Sequence, residues 1–137
     1  VSGANLGVFA AEKDGFEIQL RGAEINETDL NSGRPLALEL QWHVSVAGAE
    51  NLTVFVHGVD RDGQLIVQND GDLLVGLLPF SKIAQGQGVH EIRYFPADPA
   101  VVAFHIGLYD RFSGERVPFT STINGEVSNK IVIPLPN

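Results

Sequence analysis

The chain has 137 residues, 44% of them hydrophobic, with 15 Gly, 7 Pro and neither Cys nor Met. That length gives one domain around one core, and the lack of cysteine excludes disulfides, thiol catalysis and thiolate metal sites. Seventeen acidic against nine basic residues leave a net charge of −8, which repels phosphate backbones and argues against nucleic acid as a partner.

Residues 1–15 begin small and apolar and read as a lead-in or edge strand, ahead of a β-sandwich domain over 16–137. Because position 1 is Val and not Met, a segment is expected to have been removed upstream. Phe16, Ile18 and Leu20 alternate with Glu17, Gln19 and Arg21, as a half-buried strand requires. A polar loop follows over 26–35. The clearest strand comes next, with Leu36, Leu38, Leu40, Trp42, Val44 and Val46 on one face, which places Trp42 in the core.

Residues 52–60 and 64–68 read as a hairpin about Asp62-Gly63, with 53–59 apolar on both faces and hence central. Residues 73–88 form a long, irregular, apolar connection. Strands are expected at 89–95 and 101–110, the latter central, followed by a Ser113-Gly114 turn and a return strand over 115–119 that completes a second hairpin. Residues 130–133 close the series before Pro134 and Pro136 stop the pairing. No segment keeps helical periodicity, and no apolar run approaches the roughly 20 residues of a membrane-spanning helix. Seven to nine short strands at even spacing predict an all-β fold, a single antiparallel β-sandwich of immunoglobulin-like or jelly-roll type.

His57 and His105 fall on the two central strands, and Asp60, Asp62, Asp70 and Asp72 fall in turns, so together they are the candidates for a metal site, calcium included. Neither group has the spacing of a known metal motif, and turn aspartates ordinarily cap backbone N–H groups. The structural reading therefore wins, with no metal or cofactor expected. No serine sits in a Gly-x-Ser-x-Gly elbow, and no enzyme is expected. Tyr109 alternates opposite Leu108 and is the candidate platform for a sugar ring.

FEIQLRGAEI, LALELQW, LTVFVHGVDRDGQLIVQNDG and FHIGLYDRFSGERVP together resemble an uncharacterised immunoglobulin-like β-sandwich domain of bacterial cell-envelope proteins. That domain occurs in Chloroflexus-like bacteria, associated with membrane glycosyltransferase-like proteins. The resemblance rests on Trp42, on Phe55-Val56-His57 with Asp60, Gly63, Gln68 and Asp70, and on Gly107 to Asp110 with Gly114, Glu115 and Arg116. It departs over 72–88, where LLVGLLPFSKIAQGQG replaces the family's Pro-rich turns and second Trp. It implies an extracytoplasmic, secreted or cell-surface location and carries no catalytic residue.

The expected function is non-catalytic protein–protein assembly or docking at the cell surface, with other envelope proteins or copies of the chain as partners. Its candidate contacts are Leu73, Leu74, Val75, Leu77, Leu78, Phe80 and Tyr109, since exposed apolar segments of that size mark contacts. Residues 1–11 are a further candidate, as a strand that could join a neighbour's sheet. The alternatives are an accessory glycan-binding module and a metal-binding protein or small metal-dependent enzyme.

Overall fold

A computed structural model describes residues 7–11, 15–26 and 33–135. Among them ten strands run in chain order: β1 (Gly7–Ala11), β2 (Phe16–Ile25), β3 (Leu36–Val46), β4 (Leu52–Val59), β5 (Leu65–Gln68), β6 (Gly88–Phe95), β7 (Ala103–Asp110), β8 (Phe119–Ser121), β9 (Val127–Ser128) and β10 (Ile131–Pro134). They form two antiparallel sheets, one of six strands in the order β6-β3-β2-β1-β8-β9 and one of four in the order β10-β7-β4-β5. The chain is thus all-β and sandwich-like, and among the described residues no helix is long and apolar enough to cross a membrane.

Period-two alternation places the core. Leu36, Leu38, Leu40, Trp42 and Val44 of β3 all point inward and are buried. Facing them from the smaller sheet are Val54 and Val56 of β4 and Phe104, Ile106 and Leu108 of β7, none with any exposed surface. Each such side chain contributes about 1.5–3 kcal/mol by leaving water, so this double layer carries the fold. As expected, β4 and β7 are the two central strands of their sheet, and Gly63 and Gly114 adopt the positive φ that their turns need.

Three regions differ from the sequence reading. Gly7–Ala11 is an interior strand, paired to β2 on one side and β8 on the other. Gly7 is why it fits: a Cβ there would overlap the Phe119 ring. The second hairpin is cut short, because only Arg116 bridges back to Tyr109. The chain then leaves for the six-stranded sheet, where Phe119 pairs with Phe9. Finally, the connection after β5 holds a single helical turn, α1 (Leu73–Gly76), and a 3₁₀ turn, Phe80–Lys82.

Candidate functional site

Strand β6 is an edge of the larger sheet. Val44 N–H donates to the Gln87 carbonyl at 2.9 Å, and bonding alternates along an antiparallel ladder. Val89, Glu91 and Arg93 therefore bond toward β3, while the N–H and C=O groups of Gly88, His90 and Ile92 face outward. Among the described residues no hydrogen bond closes those three on that side. Tyr94 differs, because its carbonyl accepts from Asn69 Nδ2 at 3.2 Å.

Facing inward on the same strand is a buried ion pair that the sequence reading missed. Glu91 is 3% exposed and Arg93 5%, with Arg93 Nε donating to Glu91 Oε2 at 3.2 Å. The same carboxylate accepts from Trp42 Nε1 at 2.9 Å and from the Leu74 N–H at 3.3 Å. The guanidinium donates to the carbonyls of Asn69 at 2.9 Å, Gly71 at 3.0 Å and Asp72 at 3.4 Å. A strand of one sheet thus holds the loop leaving the other, and α1 is fixed against β6. Leu74 sits at φ 53, a left-handed geometry that costs a non-glycine residue about 1–2 kcal/mol, and Glu91 holds its N–H there.

This anchoring sorts the predicted contact residues. Leu73 and Phe80 are buried, and Phe80 packs edge-on against Trp42 with ring centroids 5.6 Å apart. Both belong to the hydrophobic core and so are not available as contacts. Leu78 is half-buried, and the side chain of Val75 lies outside what is described. Leu74 and Leu77 are exposed, the latter at 83%. Ile92 and Tyr94 of β6 are exposed as well, Tyr94 at 61%. A cleft of 270 Å³ is lined by Gly76 of α1, by Ile92, Arg93 and Tyr94 of β6 and by the loop over 69–72.

The candidate metal ligands are only partly brought together. His57 and His105 are direct cross-strand partners, and His57 Nε2 lies 3.3 Å from an Asp70 carboxylate oxygen. Asp60 accepts the N–H groups of Asp62 and Gln64, each at 2.9 Å, and so closes its own turn. Asp72 is taken by Arg111 at 2.7 Å. Among the described residues no group of three His, Asp or Glu side chains is placed to hold a metal ion.

Tyr109 belongs to a different feature, the outer face of the four-stranded sheet. Phe55 points outward there, yet it is only 1% exposed. Its ring lies over Gly107, its cross-strand partner, where a Cβ would overlap the ring. The Arg116 guanidinium lies over the ring, 4.3 Å from the centroid. His57 and Tyr109 flank the ring with centroids 5.0 and 6.3 Å away.

On this face burial, followed by the positive charges of Lys130, His57 and Arg116, lowers the pKa of His105 below its ordinary 6.5. A histidine that is harder to protonate when folded draws the chain toward unfolding as pH falls below about 6.5. His105 therefore contributes stability above that value and loses it on acidification. Urea unfolding of wild type and His105→Gln at pH 7.5 and 5.5 should show a smaller acid loss in the variant, and equal losses would contradict the assignment. Compared with known proteins, no family model, no curated protein and no solved structure matches this chain.

Proposed function

We propose that this protein is a non-catalytic assembly module that pairs through the open edge of β6 with the same edge of a second copy. The observation that supports it most is the coincidence of an unclosed ladder at Gly88, His90 and Ile92 with the exposed apolar side chains Leu74, Leu77, Ile92 and Tyr94. An uncovered edge strand templates another strand, and natural edges are usually blunted by charge, proline or a bulge. On β6 the charged residues Glu91 and Arg93 point inward, which is itself one way of blunting an edge, but here both are already buried and paired with each other, so their charge is spent within the chain.

The edge is also self-complementary. A second copy laid antiparallel and centred on His90 exchanges both bonds there and pairs Gly88 with Ile92 on either side, which leaves Tyr94 C=O with Asn69. Residues 7–11 already pair inside their own sheet, so assembly by their donation loses its support and the edge takes their place. The position outside the cytoplasm is supported only by the resemblance to envelope domains.

Sedimentation at increasing concentration tests the pairing. Wild type should dimerise, and more strongly with added salt, because each copy carries −8. Ile92→Lys and Leu77→Asp should stay monomeric while changing folding stability by no more than about 0.5 kcal/mol, the usual range for surface sites. A wild type that remains monomeric at every concentration and salt would contradict the proposal.

A further inference from the structure

The outer face of the four-stranded sheet concentrates positive charge on a strongly acidic protein. Arg116 and Tyr109 are bridge partners and so present their side chains to the same face. His57 and His105 follow on that face in adjacent strands. Lys130 directly precedes β10, whose Val132 pairs with His105 and shares its outward direction. One carboxylate, Asp70, stands beside His57.

The guanidinium at the centre is preorganised. Its position over the Phe55 ring, 4.3 Å from the centroid, and a 3.4 Å bond from Arg116 Nη1 to Asn129 Oδ1 hold it against the sheet. Little side-chain entropy then remains to be lost when its free N–H groups meet a ligand. Around it the half-buried faces of Tyr109 and His57 are apolar and flat. Fixed cations beside flat aromatic faces match a sugar ring that bears an acidic substituent: the C–H face of the ring packs on the aromatic group, and the anion meets the cations.

We infer that this face binds an acidic saccharide, with Arg116 and Lys130 meeting its carboxylate or sulfate and Tyr109 packing on its ring. The site lies on the smaller sheet, whereas the proposed pairing edge lies on the larger one, so either can fail alone. Asp70 opposes the ligand. Charging of His105, which faces Lys130, Arg116 and its cross-strand partner His57, favours it, so affinity rises as pH falls below about 6.5.

The test is calorimetric titration of the full chain with oligogalacturonate, the neutral galactose oligomer of equal length, oligoglutamate and free sulfate. Oligogalacturonate should bind with resonance shifts at Tyr109 and His105, and the other three should bind more weakly. Lys130→Gln, which leaves the Arg116–Phe55 stack intact, should weaken binding about tenfold, the scale of one charged hydrogen bond. Asp70→Asn should tighten it, a gain that misfolding cannot imitate. No binding, equal binding of the neutral oligomer, oligoglutamate or sulfate, or indifference to both substitutions would overturn the inference.

Discussion

Arg93→Met should destabilise the fold by about 3–5 kcal/mol in urea unfolding, because it leaves the Glu91 carboxylate charged and buried without its partner. The same change removes the donor to the carbonyls of Asn69, Gly71 and Asp72. A domain of this size has a total stability of about 5–15 kcal/mol, so much of it goes with one side chain. The double variant Glu91→Leu with Arg93→Met should cost less than the sum of the two single changes, since removing both charges also removes their desolvation penalty. It will not reach wild type, because Trp42 Nε1 and the Leu74 N–H lose their acceptor. A loss near 0.5 kcal/mol for Arg93→Met would mean that water already solvates the pair, contrary to the burial of both side chains.

Gly107→Ala should destabilise by about 1–3 kcal/mol, although alanine is intrinsically the better residue within a strand by about 0.5–1 kcal/mol. Sterics decide the sign. The new Cβ overlaps the Phe55 ring and stands 3.1 Å from the Asn129 carbonyl, and the ring cannot lift because Arg116 covers it. Phe55→Ala alone should cost about 3–5 kcal/mol, as for other fully covered phenylalanines. In that background the penalty of Gly107→Ala should shrink, because the ring overlap is gone and only the 3.1 Å approach to the Asn129 carbonyl remains. A cycle in which the two effects simply add would place the ring elsewhere.

The strands and the sites were not equally legible in the sequence. Alternation identifies β3, and apolar residues on both faces identify β4 and β7, because central strands must cover two environments at once. Alternation places β6 but not its buried ion pair. Glu91 and Arg93 share a face with Phe95, but their partners are carbonyls about twenty residues earlier and the Trp42 indole, and no local pattern encodes such a meeting. The return after Ser113-Gly114 fails for a related reason. An apolar stretch through Phe119 suits either sheet, and only the burial of Phe119 against Phe9, with rings 4.9 Å apart, selects the larger one. The apolar run at 73–80 does carry a contact signal, but sequence cannot separate Leu73 and Phe80, which enter the core, from Leu74 and Leu77, which stay outside. His57 and His105 were readable as neighbours once both strands were placed centrally. The cover of Phe55 by Arg116 was not readable, because it depends on the bridge that Arg116 makes to Tyr109.

Pairing through β6 is tested most directly by amide hydrogen exchange at His90 and Ile92 as a function of protein concentration. In a lone chain these two amides face solvent and should exchange fast, whereas Glu91 and Arg93, bonded to β3, should be protected throughout. If two copies pair at this edge, the protection of His90 and Ile92 must rise with concentration and be lost in Leu77→Asp. Fast exchange at both amides across the whole concentration range would contradict the pairing.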